Sequence, residues 1–363
     1  MKEAYASGVT FAFPFTMTPK FTSRPSRRAL VAALIAGASL GLCGTASAEA
    51  LKIRFTLDWR IDGPGAIVLL TQARGYFQQE GLDVTIDAGS GSAASVQRIA
   101  GGTHDIGFAD TAALVEFLSQ NPAGPKIQAV YMLQEKSPAA IFALKKSGIR
   151  TPADLAGRKL GAPVFDAGRK SFPLFAKANR LDASSVAWTN ADPALRETLL
   201  VRGDLDAITG FYYTSVLNLE ARGIKESELT VFKYADYGVN LYGNAVIAGP
   251  AFASEHPQAV AGFLRALNRG IKDTIADPKA AITYVKARDG IIDSAIEERR
   301  LRLFLDNFIA TPNARRQGLG DVDPARLRSN IVQITDAFGL TRFVDGDQLF
   351  NRSYLPPAKD RKF

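Results

Sequence analysis

The stretch LKIRFTLDWRIDGPGAIVLLTQARGYFQQEGLDVTIDAG, Leu51 to Gly89, contains one complete strand–helix–strand unit. Its first run, Leu51–Trp59, has the apolar character of a strand, and Leu82–Gly89 returns to the same pattern. Between them, Gly65–Gly81 is predicted as a helix that a glycine closes. Because a helix connects the two strands, we expect them to lie parallel in one sheet with the helix packed on its face.

The same alternation of short strands and helices continues along the chain. A first lobe is predicted for residues 49–145, and the pattern then restarts at TPADLAG, Thr151–Gly157. Residues 146–237 are predicted to form a second lobe, and residues 238–363 to return to the first. We therefore predict an α/β fold of two lobes, each a mainly parallel sheet flanked by helices, with a ligand cleft between them.

The first 48 residues are predicted to be a secretory signal peptide. Arg24, Arg27 and Arg28 precede the apolar run 29–42, and Ala46-Ser47-Ala48 has small residues where a signal peptidase cleaves. The run is shorter than the ~20 apolar residues that span a bilayer. Sec and Tat export both stay open, because SRRAL is a partial twin-arginine pattern. We expect the mature protein in the periplasm.

The single cysteine, Cys43, follows Leu42, and a lipoprotein site would have a small residue there, so the pattern favours a chain without a lipid anchor. Cleavage after Ala48 removes Cys43, and no disulfide or thiolate chemistry is then expected. Cleavage also removes five of the 44 basic and one of the 36 acidic residues. The remaining surface is close to balanced in charge, so nucleic acid is not an expected partner.

Unusual side chains follow four of the predicted strands, next to helix starts. Aromatic, hydroxyl and charged groups at the carboxyl edge of a sheet are suited to holding a ligand. Each also has a structural interpretation, as a plug of the sheet, a helix cap or a solvated helix start. Two adjacent tyrosines on a strand point to opposite faces, so one of them is expected outside the cleft. With two residues of the returning segment, the predicted ligand-binding residues are Asp58, Trp59, Asp110, Thr111, Phe165, Arg169, Ser171, Phe211, Tyr212, Tyr213, Tyr242 and Asn244.

The chain has few groups suited to catalysis. His104 and His256 are its two histidines, and the predicted mature chain after Ala48 has no HExxH, CxxC, GxSxG or GxxxxGK[ST] motif. GSGSA, Gly89–Ala93, looks like a phosphate-binding turn but lacks the third glycine and the downstream acid of a dinucleotide site. We therefore predict no enzyme activity, no metal ion and no cofactor.

Six segments occur in an order that is typical of one family: TLDW, ARGYFQQEGLDVTI, HDIGFAD, SGIRTPADLAGRKLG, DAITGFYYT and YGVNLYGNAVIA. Together they resemble the periplasmic substrate-binding proteins of ABC transporters of the nitrate, sulfonate and taurine type. The similarity extends from Leu51 to the helix that ends near Asp277. LDW with GFYY is most similar to the branch that binds thiamine-precursor pyrimidines.

This resemblance implies a type II-like clamshell whose lobes close around a small molecule. It implies delivery of that molecule to an ABC permease in the inner membrane with its cytoplasmic ATPase, without chemistry. It also implies that Trp59 stacks on a planar ligand, that Asp58 accepts a hydrogen bond, and that Gly63–Gly65 lets a helix N-terminus approach. We expect a monomer.

Two departures from the pyrimidine branch leave the ligand open. Thr214 and Ser215 follow the double tyrosine, where that branch tends to have an acidic residue. The histidine and the cysteine-rich segment of the related eukaryotic pyrimidine-making enzymes are also missing. Arg169 and Lys170, at a helix start, would suit an anion. The predicted ligand is a thiamine-precursor-like pyrimidine, with a sulfonate, an aromatic acid or riboflavin as alternatives, and a ligand sensor is the alternative role.

Overall fold

The structure is a computed structural model that describes residues 49–363, together with Ala12 and Pro14. The predicted signal peptide, its cleavage site and Cys43 lie outside the described residues. Among the described residues, no helix is long and apolar enough to cross a membrane.

Residues 49–363 form two five-stranded sheets, joined by helices and short 3₁₀ turns. The strands are β1 Leu51–Thr56, β2 Leu82–Asp87, β3 Ile106–Asp110, β4 Gln128–Met132, β5 Ala139–Leu144, β6 Lys159–Ala162, β7 Ala187–Asn190, β8 Ala207–Phe211, β9 Leu229–Lys233 and β10 Asn244–Ala248. The α-helices are α1 Ala66–Ala73, α2 Tyr76–Gln79, α3 Ser92–Ala100, α4 Thr111–Gln120, α5 Ala167–Lys170, α6 Phe172–Ala178, α7 Arg196–Arg202, α8 Tyr212–Glu220, α9 Pro250–Glu255, α10 Pro257–Ala276, α11 Pro278–Arg288, α12 Ser294–Phe304, α13 Pro312–Gln317, α14 Pro324–Ala337 and α15 Gly346–Leu349.

The first sheet has the order β2-β1-β3-β10-β4. β1 runs parallel to β2 from the Leu51–Leu82 pair onward, as the strand–helix–strand pattern predicts. β10 returns from the second lobe and pairs antiparallel with both β3 and β4. The core of this lobe contains a group of phenylalanines: Phe55 meets Phe108 edge-on at 4.9 Å and stacks on Phe263 of α10 at 5.4 Å between ring centroids. Such pairs add to the burial of apolar surface that stabilises the lobe.

The second sheet has the order β7-β6-β8-β5-β9, with β5 antiparallel to its neighbours. The predicted two-lobed α/β fold with mainly parallel sheets is confirmed. In each sheet four strands run in the same direction and a single strand, β10 or β5, runs against them. The predicted boundary after residue 145 is wrong for β5, which pairs in the second sheet. Its run AAIFAL is buried throughout. A continuous apolar run predicts a buried strand but carries no information on which sheet it joins.

Two crossover segments, residues 133–138 and 239–243, connect the lobes and lie close together. A Cβ on Gly243 would lie 2.3 Å from Oε1 of Gln134, so a larger residue there would displace the Gln134 side chain. Asn330 of α14 accepts a hydrogen bond from the backbone N–H of Tyr242 at 2.9 Å. Arg326 of the same helix pairs with Glu135 at 2.7 Å. Helix α14 therefore braces both crossover segments.

Candidate functional site

Two small adjoining cavities of about 10 and 30 Å³ lie between the lobes, where β1 and β8 end. We call them together the interlobe cleft. The smaller cavity is lined by Asp58, Trp59, Gly91 and Ser92 of the first lobe and by Asp166, Ala167, Arg196, Phe211 and Thr214 of the second. The larger one shares Asp58, Trp59, Phe211 and Thr214 and adds, among others, Asp62, Gln134, Tyr213 and Asn244.

The glycine-rich segment after β2 holds the loop that follows β1. The N–H of Gly89 donates to the carbonyl of Trp59, and the N–H of Gly91 to that of Asp58, both at 2.8 Å. A Cβ on Gly89 would lie 2.2 Å from the carbonyl oxygen of Leu57, so this approach requires glycine. The segment that looks like a phosphate-binding turn therefore positions Asp58 and Trp59 through the backbone.

Asp58 and Asn244 form an acceptor pair on the wall of the larger cavity. Nδ2 of Asn244 donates to Oδ2 of Asp58 at 2.7 Å. Burial raises the pKa of Asp58 above its usual value, and the hydrogen bonds from Asn244 and Ser92 oppose that shift. Oδ1 of Asn244 is buried without a hydrogen-bond partner among residues 49–363. Because buried acceptors are almost always paired, this oxygen is suited to accept from a ligand N–H or O–H.

Arg196 lies opposite, on the second lobe, and is buried. Its Nη1 donates to Asp166 at 3.2 Å, its Nη2 to Glu197 at 2.7 Å and to Ser215 at 2.9 Å, and its Nε to Glu197 at 3.2 Å. Burial opposes ionisation of Glu197, but the adjacent Arg196 charge holds the pKa of that carboxyl below its usual value. Burial raises the pKa of Asp166, and Arg196 opposes this shift. The positive charge of Arg196 is thus matched within its own lobe.

The guanidinium of Arg196 contacts the indole of Trp59 across the cleft. Its Cζ lies 4.9 Å from the ring centroid, within the range of a cation–π interaction. Trp59 is half-buried, and it comes from the loop after β1 in the first lobe. The two lobes therefore meet through two flat side chains.

Helix α12 joins a first-lobe turn to the second lobe. Oε2 of Glu297 accepts from the N–H of Gly63 at 2.6 Å and pairs with Arg300 at 2.9 Å. Arg300 in turn donates to the carbonyl of Thr214, in α8, at 2.7 Å. Burial raises the pKa of the neighbouring Asp62 to about 7, with Arg300 opposing the shift and the Glu297 charge adding to it.

Five of the predicted residues line the interlobe cleft: Asp58, Trp59, Phe211, Tyr213 and Asn244. Asp110 lies behind that wall, paired with Asn244 in the β3–β10 ladder, and caps α4 by accepting from the N–H of Ala112 at 2.9 Å. Burial raises its pKa to about 7. This position agrees with the structural interpretation of Asp110 as a helix cap.

One of the paired tyrosines lies outside the cleft, as expected, but both belong to a helix and not to a strand. Both belong to the first turn of α8, since β8 ends at Phe211. Tyr213 is buried in the cleft wall and accepts from Nε2 of Gln134 at 3.1 Å. Tyr212 points away and donates to Glu226 at 2.6 Å. The strand prediction for this pair is wrong because the helix begins one residue after the strand, without a loop.

Five further predicted residues lie outside the two cavities. Arg169 stacks over Trp188, with Cζ 4.8 Å from the ring centroid, and donates to the carbonyl of Ala162. This placement corrects the prediction of an anion contact at Arg169, because its guanidinium is held against the second lobe. Three others are Phe165, which faces a separate groove, Ser171, buried at the α5–α6 junction, and Thr111, whose hydroxyl donates to the Tyr242 carbonyl at 3.1 Å.

Tyr242 is the fifth residue outside the cavities. Its hydroxyl accepts from the N–H of Asp323 at 3.0 Å, and Arg326 lies 4.0 Å above its ring. These contacts hold Tyr242 against α14, so it stabilises the crossover segment and does not line the cleft.

The sequence analysis missed several residues that line the cleft. Asp62 and Thr214 are neighbours of predicted residues and could have been included on that ground. Asp166 caps α5 within a segment that was singled out, so its position before a short helix was a usable signal. Arg196 begins α7 away from any strand end, and no local pattern indicates that it reaches the cleft.

Two sheets joined by two crossovers, with a cleft between them, give the chain the two-lobed fold that is also seen in solved periplasmic binding proteins. More specifically, the chain belongs to the NMT1/THI5-like family, whose model matches residues 65–281. The resemblance found in the sequence is confirmed.

Two relatives and one solved structure illustrate the similarity. Riboflavin-binding protein RibY of Chloroflexus aurantiacus is 25% identical over 293 residues, covering 78% of this chain and 80% of that protein. The formylaminopyrimidine-binding protein of Halalkalibacterium halodurans is 25% identical, covering 77% and 86%. The alkanesulfonate-binding protein SsuA from Xanthomonas axonopodis pv. citri, bound to MOPS, has a TM-score of 0.65 at 16% identity, covering 84% of this chain and all of its own. The likeness to this last structure shows the fold alone.

Proposed function

We propose that this chain is the extracytoplasmic solute-binding component of an ABC importer. In this proposal the interlobe cleft captures a small planar nitrogen heterocycle, similar to a thiamine-precursor pyrimidine, and delivers it to a permease with its ATPase. The observation that carries the proposal is the pairing of a flat aromatic face, Trp59, with the acceptors of Asp58 and Asn244 in one cavity. A planar ring that carries N–H donors matches both features.

The charges around the cleft favour such a ligand over an anion. Asp58 and Asp62 line the larger cavity, and both have raised pKa values because of burial. Arg196 is matched by two carboxylates, and Arg300 is paired with Glu297. An incoming sulfonate would therefore meet the carboxylates of Asp58 and Asp62 in the larger cavity, where the exposed Arg60 is the one lining cation without an ion pair among residues 49–363. Two relatives are named for binding riboflavin and a formylaminopyrimidine, which are also ring compounds.

A ligand panel tests the proposal directly. Calorimetric titration of the exported protein with 4-amino-5-hydroxymethyl-2-methylpyrimidine, riboflavin, taurine and benzoate is expected to give binding of a heterocycle and no binding of the sulfonate or the carboxylate. Tighter binding of taurine or benzoate than of either heterocycle would contradict it. Incubation with the bound heterocycle followed by mass spectrometry is expected to return it unchanged, since we propose a carrier and no enzyme.

The proposal also places the mature protein in the periplasm, released from a signal peptide. Amino-terminal sequencing of the exported form is expected to begin near Glu49. A form that begins at a lipidated Cys43 would contradict release as a soluble protein. A permease and an ATPase encoded beside this chain would support import, whereas a neighbouring histidine kinase would favour a sensor.

A further inference from the structure

The guanidinium edge of Arg196 is almost fully used within the second lobe. An arginine has five N–H donors in a planar fork. Four hydrogen bonds connect this fork to Asp166, Glu197 and Ser215, all on the same lobe. Because a carboxylate or sulfonate binds arginine through that edge, little of it is left for an anionic ligand.

The same guanidinium lies over the indole ring of Trp59, and its four hydrogen bonds use its edge and not its face. The hydrogen bonds hold the plane in one orientation, so Arg196 cannot turn away when a ligand enters. The 4.9 Å between Cζ and the indole centroid is direct contact. A ring between the two planes needs about 3.5 Å on each side, which is the usual separation of carbon atoms in contact. Entry of a ring therefore requires the lobes to part by a few ångströms around the crossover segments.

We propose that Arg196 is the second stacking surface of the ligand site and a determinant of its specificity. In this proposal, which rests on the proposed function, the ligand ring lies between the indole of Trp59 and the guanidinium of Arg196. The two carboxylates cancel the attraction of Arg196 for anions but leave its flat cationic face. The pair then selects uncharged or protonated planar rings and discriminates against non-planar sulfonates such as taurine. In the unliganded protein, Arg196 and Trp59 close on each other where the ring would lie.

The chain contains a matched control for this arrangement. Arg169 stacks over Trp188 at 4.8 Å in the second lobe, outside both cavities. Arg196→Lys and Arg169→Lys each keep a positive charge and remove a flat guanidinium. The probes are 4-amino-5-hydroxymethyl-2-methylpyrimidine and riboflavin, titrated by calorimetry. We expect Arg196→Lys to weaken the better probe at least tenfold and Arg169→Lys to leave its affinity within twofold.

Fluorescence adds a readout that a purely structural role of Arg196 would not move. The chain has two tryptophans, so a Trp188→Phe background leaves Trp59 as the reporter. In that background, stacking of the ligand ring on Trp59 is expected to change the emission of Trp59. Arg196→Lys is expected to raise the ligand concentration at the midpoint of this change by the same factor by which it weakens the affinity measured by calorimetry. An unchanged midpoint in a folded Arg196→Lys protein would overturn the proposal.

A crystal structure of the wild-type complex decides the question even if Arg196→Lys does not fold. We expect the ring between Trp59 and Arg196, with their separation grown from 4.9 Å to about twice the 3.5 Å contact distance. A bound heterocycle elsewhere, with the contact between Trp59 and Arg196 intact, would overturn this proposal and leave the proposed function standing. Failure of both heterocycles to bind the wild-type protein would overturn both.

Discussion

Individual side chains of the cleft offer two kinds of surface: flat faces and hydrogen-bond acceptors. Trp59 and Arg196 contribute faces, and Asp58 and Asn244 contribute acceptors on the first-lobe wall. Faces select by shape and bury apolar area, whereas acceptors select by the placement of N–H and O–H groups. Oδ1 of Asn244 has no hydrogen-bond partner among residues 49–363, and leaving a buried acceptor unsatisfied is costly.

Trp59→Ala is expected to weaken binding of a planar ligand by about 1–3 kcal/mol, by analogy with base–aromatic stacking. The fold is expected to survive, because Trp59 is half-buried at the cleft and not in a core. Calorimetry gives the affinity and thermal melting gives the stability. Trp188→Ala, in the second lobe away from the cavities, is the control: it is expected to cost stability and leave affinity unchanged. A Trp59→Ala protein that loses stability but keeps its affinity would identify Trp59 as a structural plug of the sheet.

Asp110→Asn is expected to make the protein more stable than wild type at pH 8, but much less so at pH 5. Burial raises the pKa of Asp110 from 3.8 in the unfolded chain to about 7. The folded state therefore holds a proton that the unfolded state loses, and wild-type stability falls as pH rises from about 4 to about 7, by up to ~1.4 kcal/mol per pH unit. Asparagine caps a helix as well as aspartate does and does not titrate.

Urea unfolding of both proteins at several pH values gives the difference in free energy. We expect it to grow up to about pH 7, the folded-state pKa of Asp110, and then to level off. A difference that does not depend on pH would mean that Asp110 is ionised in the folded protein.

At the scale of elements, helix α12 has a buried ionic contact on one face and an exposed one on the other. Arg300 and Glu297 are buried, and they connect the Gly63–Gly65 turn with α8. Arg302 and Glu298 form an ordinary pair one turn apart near the surface. Breaking a buried pair leaves an uncompensated charge, whereas an exposed pair contributes little.

Arg300→Ala is expected to destabilise the protein by about 3–5 kcal/mol, the usual result of removing one partner of a buried ion pair. Arg302→Ala, on the same helix, is expected to cost less than about 1 kcal/mol. Urea unfolding monitored by circular dichroism measures both. Equal effects of the two substitutions would show that the buried ion pair of α12 stabilises the protein no more than the exposed pair does.

At the scale of the whole molecule, the lobes are closed on each other in this structure. The N–H of Ala93 donates to the carbonyl of Phe165 at 3.3 Å across the cleft, and Lys170 pairs with Glu116 at 3.2 Å. Gly91 makes this approach possible, because a Cβ there would lie 2.2 Å from the carbonyl oxygen of Phe165. Motion about the two crossover segments is the natural way to break these contacts and admit a ligand.

Gly91→Ala is expected to hold the lobes apart and to weaken ligand binding at least tenfold. Its φ of +140° adds backbone strain, so a control with the same kind of strain is needed. Gly102→Ala, at the other end of α3, has a φ of +68° and no atom within 4 Å of the new Cβ. We expect both variants to melt earlier, but Gly91→Ala alone to lose affinity. Small-angle scattering with ligand is expected to show a larger radius of gyration for Gly91→Ala, and equal radii would contradict the steric argument.

Some residues of the cleft are predictable from the sequence and others are not, for physical reasons. Asp58 and Trp59 follow a strand in a parallel unit, and the carboxyl end of such a strand faces the cleft. Arg169 and Tyr212 also lie near strand ends, but Trp188 and Glu226 hold them elsewhere. Arg196 was not found, because its path to the cleft depends on the packing of α7 beside β8 and α5.

The sequence by itself determined the class of fold, the family and the first-lobe half of the cleft, because strand–helix periodicity and the TLDW loop are local patterns. The tertiary structure decided which sheet β5 joins, which tyrosine faces the cleft, and that Arg196 meets Trp59. Those outcomes depend on contacts between residues far apart in the chain. Local propensity does not encode such contacts, since a buried apolar strand or a paired arginine is compatible with many partners until the lobes pack.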